Sequence, residues 1–157
     1  MTDEYRYTGA DIERVTGGYV NSGVLRMWIS EGRLTAGPRA KSIRGGPRTF
    51  EVKTILKAAL MAELRKCGLS LPTAQQEAEN FLETVRTLKG RSDKGWQSVP
   101  LYFGINPGTD SVIRIPANRA GESFDGLMAE FGPTLLVVDV ASIVESVKKA
   151  LGEEAAA

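Results

Sequence analysis

The sequence predicts an α+β protein, and three observations carry that prediction. Apolar side chains recur at helical spacing through most of residues 9–88. A stretch rich in Gly, Pro and Arg, Leu34 to Phe50, interrupts them with a turn signal at Gly45-Gly46-Pro47. Beyond residue 97 the pattern changes to short apolar runs of strand type alternating with helical stretches, in the order β-β-α-β-α.

Thr8-Gly-Ala-Asp11 has the form of a capping box, so a short helix is expected after it, with Ala10, Ile12 and Val15 as its apolar side. Thr16-Gly17-Gly18 should stop that helix. Asn21 or Ser22 can cap a second helix, over 22–31, in which Val24, Leu25, Trp28 and Ile29 form one apolar stripe and Glu31-Gly32 marks the end. Residues 34–50 read as a basic hairpin. Thr49 can cap a third helix whose core positions are Val52, Ile55, Leu56, Ala59, Leu60 and Leu64, ended by Gly68.

Ser70 and Pro72 open a fourth helix, where proline in the first turn costs no intrahelical hydrogen bond. Within 71–88, Ala74, Ala78, Phe81, Val85 and Leu88 are separated by 4, 3, 4 and 3 residues, a seam expected to pair with a partner helix in a dimer, with packing inside the chain as the alternative. Residues 89–97 read as a linker. After it, Val99 to Ile105 and Val112 to Ile115 are candidate strands joined by Asn106-Pro-Gly-Thr109, read as a type II turn. A short helix over Phe124 to Phe131, a strand from Thr134 to Val140 and a last helix capped by Ser142 complete the order. Asp139 reads as a strand-end turn or helix cap in preference to a ligand-binding carboxylate. The expected domains are therefore 5–88 and a small module over 98–152.

Composition narrows the chemistry. Histidine is absent and cysteine occurs once, at Cys67, so His/Cys zinc sites, Ser-His-Asp triads and disulfide frameworks are excluded by counting. Cys67 is expected to be a buried structural thiol. No metal site, cofactor or catalytic constellation is legible, and an enzyme is not expected. The N-terminus lacks a basic and apolar leader and the chain lacks a long apolar run, so a cytoplasmic protein without membrane contact is expected.

The net charge of +1 conceals an uneven distribution. Residues 22–58 carry eight basic side chains against two acidic ones, whereas residues 98–157 carry four against eight. Cations interleaved with Gly and Pro, in place of alternation with acids, suit a polyanionic partner.

A capped helix, a Gly-containing turn, a second helix with Arg26 near its start and a basic hairpin together make a winged helix-turn-helix. Tyr7-Thr8, Val15-Thr16-Gly17, Leu25-Arg26 with Trp28, Glu31-Gly32, Gly46-Pro47-Arg48-Thr49-Phe50 and Cys67-Gly68-Leu69-Ser70-Leu71 resemble the DNA-binding domain of the MerR family over about residues 5–88. Phe50 stands where the family usually has tyrosine, and both the spacing from Gly17 to Leu25 and the hairpin are longer than usual in the family. The resemblance implies a homodimeric regulator that reads double-stranded DNA, with Arg26 in the recognition helix and Arg48 at the base of the wing as DNA contacts. Excisionases and phage packaging proteins also resemble this domain.

The residues expected to touch DNA follow from charge and position. Arg26 is the candidate for base edges, Ser22 for a phosphate or base beside it, and Arg39, Lys41, Arg44, Arg48 and Lys53 for phosphates. Trp28 is expected in the core. Two other readings stay open: an architectural DNA-binding role in recombination or packaging, and an adaptor whose C-terminal module binds a protein or small molecule.

Overall fold

The computed structural model describes residues 6–39, 46–89, 100–116, 126 and 136–152. The fold is α+β, and the chain divides into two compact units, residues 1–63 with 144–157, and residues 64–143. The expected boundary near residue 88 is thus corrected: the division falls inside the third helix, and the fourth helix groups with the C-terminal sheet.

In the first unit, β1 (Tyr7–Thr8) leads into α1 (Gly9–Val15). Asp11 holds the helix start, its Oδ2 accepting the backbone N–H of Thr8 at 2.8 Å and the Thr8 hydroxyl at 3.1 Å. The turn after α1 depends on Thr16, a polar side chain only 2% exposed. Its hydroxyl donates to the Ile12 carbonyl at 2.8 Å and accepts the backbone N–H of Val20 at 3.1 Å, so no buried polar atom there lacks a partner. Asn21, not Ser22, caps α2 (Ser22–Ser30): its side-chain oxygen accepts the N–H groups of Gly23 and Val24, both at 3.0 Å. Leu25 and Trp28 are buried, as the apolar stripe predicts, and Val24 and Ile29 are half-buried.

The ends of α2 and α3 (Val52–Lys66) share one device. Gly32 at φ +71° and Gly68 at φ +94° adopt backbone that L side chains rarely enter. That lets Arg33 and Leu69 donate their N–H groups back to the carbonyls of Trp28 and Leu64, at 2.8 and 3.3 Å, closing Schellman motifs.

The described arms of the predicted hairpin pair, and its residues 40–45 lie outside the described residues. Gly37 N–H donates to the Thr49 carbonyl at 2.8 Å, Thr49 N–H donates to the Pro38 carbonyl at 3.2 Å, and Arg39 pairs antiparallel with Arg48. Its returning arm continues as β2 (Thr49–Phe50), which pairs antiparallel with β1, Tyr7 opposite Phe50. Thr49 consequently does not cap α3. Its hydroxyl donates to the Pro38 carbonyl at 2.6 Å, and the first turn of α3 closes on the carbonyl of Glu51 instead. Ile55, Ala59, Leu60 and Leu64 are buried as predicted, but so are Ala58, Met61 and Ala62, while Val52 and Leu56 are half-buried. Small alanines widen the buried arc beyond a single stripe. Cys67 lies one residue past α3 and is half-buried, which corrects the expectation of a buried thiol.

The second unit holds α4 (Leu71–Lys89), β3 (Pro100–Asn106), β4 (Ser111–Pro116) and β5 (Leu136–Asp139), followed by the start of α5 (Val140–Ala150). The sheet order is β4-β3-β5, antiparallel throughout, with Gly104 opposite both Ile113 and Val137. The β3–β4 connection is not the expected type II turn. Pro107–Thr109 forms a 3₁₀ turn, the Asn106 side chain accepts Gly108 N–H at 3.1 Å, and Asp110 takes the left-handed conformation at φ 49° and ψ 45°.

Asp139, not Ser142, caps α5, its carboxylate accepting the Ser142 N–H at 3.0 Å and the Ser142 hydroxyl at 2.8 Å. This is the helix-cap role expected of Asp139. The predicted helix over 124–131 lies outside the described residues, except that Gly126 is helical; of the linker predicted over 89–97, Lys89 is the last residue of α4 and 90–97 lie outside the described residues.

Three features tie α4 to the sheet. Phe81 stacks edge-to-face on Phe103 with centroids 6.0 Å apart. A Cβ on Gly68 would lie 3.2 Å from the Cβ of Pro107, and Asp110 binds the first turn of α4. Ala74, Ala78 and Phe81 are buried within this single chain. Those three seam positions are thus taken up by internal packing, which corrects their assignment to a partner helix. The side chains of Val85 and Leu88 lie outside the described residues.

Candidate functional site

The exposed side of α2 faces a groove of about 1170 Å³ bounded by α1, α2 and the hairpin. Ser22, Arg26, Met27 and Ser30, which lie off the buried stripe of Leu25 and Trp28, line this groove together with Leu25 and Ile29 at the edge of that stripe. Close helix contact sets their position. A Cβ built on Gly9 at the start of α1 would meet Cδ2 of Leu25 at 2.9 Å, so a larger residue there would require the Leu25 side chain to shift.

The hairpin contributes the facing wall through Arg39, Pro47 and Arg48. Arg39 donates from its guanidinium to the Gly46 carbonyl at 3.2 Å, bracing the two arms. The guanidinium groups of Arg26 and Arg48 are exposed and hold no hydrogen bond or ion pair among the described residues. By contrast Arg14 and Arg33 are paired, with Asp11 at 2.8 Å and Glu31 at 2.6 Å. Glu13 is the acidic side chain of the groove lining.

Of the residues singled out from sequence, Ser22, Arg26, Arg39 and Arg48 are brought together along this groove. Lys53 is exposed on the first turn of α3 and is not part of the lining. Lys41 and Arg44 lie outside the described residues. Sequence reasoning missed Met27, Ser30 and Glu13. Met27 carried a readable signal, since it is an apolar residue on α2 that does not belong to the stripe of Val24, Leu25, Trp28 and Ile29.

The electrostatics of the neighbouring helix start are set by Asp11. Burial works to raise its pKa, but the Thr8 N–H, the Arg14 guanidinium and the Thr8 hydroxyl outweigh burial and leave it lowered. Among the described residues no cluster of three or more His, Cys, Asp or Glu could hold a metal ion, and no helix is long and apolar enough to cross a membrane. A scan against protein-family models found no match to this chain, and a search of curated proteins found none either.

Proposed function

We propose that the first unit is a winged helix-turn-helix that binds double-stranded DNA, with α2 in the major groove and the hairpin against the phosphates. The observation that carries this reading is the grouping of Arg26, Arg39 and Arg48 around one groove beside the exposed arc of α2, with two of the three guanidinium groups unpaired. An unpaired guanidinium keeps all its donors for a ligand, and a planar fork matches guanine O6 and N7 or a phosphate. A helix presenting small and cationic side chains, flanked by a basic hairpin, is the geometry by which helix-turn-helix proteins divide base reading from backbone grip.

In this reading the protein is a regulator of the kind the MerR family comprises. It is cytoplasmic, works as a homodimer and acts by binding without catalysis. Its self-association uses surfaces other than Ala74, Ala78 and Phe81. The experiment that tests it is selection of bound duplexes from a random DNA library, followed by a salt titration on the enriched duplex. A palindromic motif with steep salt dependence supports the dimeric regulator, and tandem repeats favour the architectural role. Absence of enrichment together with salt-insensitive binding would remove DNA from the account.

A further inference from the structure

Met27 is the exposed large hydrophobic side chain among the described residues, with 44% of its surface in solvent. It follows Arg26 directly on α2, and both line the groove with Arg39 and Arg48. The apolar demand of the fold does not explain it, because Leu25 and Trp28 supply the buried side of α2. Phosphate does not explain it either, since a thioether donates no hydrogen bond and carries no charge.

An unbranched, polarizable side chain on a cationic surface suits a small apolar target that sits among polar groups. On duplex DNA, the apolar group that a helix meets in the major groove is the C5-methyl of thymine. Arg26 supplies paired donors for a guanine from the adjacent position on the same exposed arc. Resting on the DNA-binding reading above, we propose that Met27 is a specificity-determining residue that packs on a thymine methyl beside the guanine read by Arg26. Each preferred half-site then contains guanine and thymine within the same short run of base pairs.

The test uses the full chain and the duplex enriched from the random library, remade with each thymine replaced in turn by deoxyuridine, which removes the methyl and leaves every hydrogen-bonding group. A single replacement in one half-site is expected to weaken binding about fourfold, the factor that loss of one buried methylene-sized group gives, and one in each half-site about sixteenfold. Met27→Ala is expected to bind thymine and deoxyuridine duplexes equally, with its salt dependence unchanged and its helical circular dichroism like that of the parent. Met27→Leu should retain the discrimination. An enriched motif without thymine, indifference to every replacement, or the same discrimination in Met27→Ala would each overturn the assignment of Met27 while leaving DNA binding intact. Failure of the library to enrich would overturn this proposal as well, and if binding were also salt-insensitive it would remove the DNA-binding reading with it.

Discussion

Asp110 braces the start of a helix from 40 residues beyond Ser70, the residue that precedes it: its Oδ1 accepts the backbone N–H of Ser70 at 2.7 Å, and its Oδ2 accepts the Ser70 hydroxyl at 2.6 Å and the Thr73 hydroxyl at 2.7 Å. One carboxylate thereby satisfies donors at the start of α4 and holds the β3–β4 turn against that helix. Asp110→Ala should lower the unfolding midpoint by several degrees, because it removes all three bonds and places alanine at φ 49°. Asp110→Asn, which keeps an acceptor oxygen and tolerates left-handed backbone, should lower it less. Thermal unfolding followed by circular dichroism checks the order of the two variants.

Acid should weaken the same link. The Ser70 hydroxyl and N–H and the Thr73 hydroxyl hold the Asp110 carboxyl below its ordinary value, and Asp11 is lowered as well. In the unfolded chain these groups take up protons more readily than in the folded one, so their contribution is complete above about pH 4 and is lost as pH falls through the lower folded values. Denaturant midpoints measured from pH 7 downward should therefore stay level on account of these two groups until about pH 4 and then decline. Asp110→Asn should make the decline shallower.

Thr16 makes a second specific demand. Replacing it by valine keeps the shape but leaves the Val20 N–H without the Thr16 hydroxyl, at a site where both residues are buried. Thr16→Val should cost about 1–3 kcal/mol in urea unfolding, and Thr16→Ser, which restores the acceptor, should cost less.

Gly32 and Gly68 occupy the same position in their Schellman motifs, but nothing lies within 4 Å of a Cβ on Gly32, whereas one on Gly68 would crowd Pro107. Gly32→Ala isolates backbone strain, on the order of 1–3 kcal/mol. Gly68→Ala adds a steric push on Pro107 and should destabilise more. Equal losses in the two variants would show that Pro107 yields without cost.

The groove separates base reading from backbone grip by measurement. Arg26→Ala should relax sequence preference, while Arg48→Ala should weaken specific and random duplexes alike and reduce the slope of log K against log salt by about 1 for each contact removed. Glu13→Gln should strengthen binding modestly, most at low salt, by removing the negative side chain from the groove lining. Fluorescence-anisotropy titrations at several salt concentrations distinguish these outcomes.

By itself the sequence determined the elements whose signals are local. The capping pair Thr8 and Asp11, the buried stripe of Leu25 and Trp28, the glycines ending α2 and α3, and the cap role of Asp139 all act within about one helical turn, where spacing in the chain is spacing in space. The cationic members of the groove were legible for the same reason, as residues that fall off the apolar stripe of α2 or on a hairpin whose arms pair locally.

Tertiary structure alone decided the rest. Thr49 has the chemistry of a cap but is spent on Pro38 across the hairpin. Ala74, Ala78 and Phe81 have the spacing of a dimer seam but are buried within the chain, with Phe81 against Phe103. Asp110 lies just beyond the turn legible in the sequence, and its partners Ser70 and Thr73 are 40 and 37 residues away in the chain. In each case the outcome depends on which distant group reaches the side chain first and removes its surface or its hydrogen-bonding capacity from water. Periodicity along one segment does not encode that competition between segments.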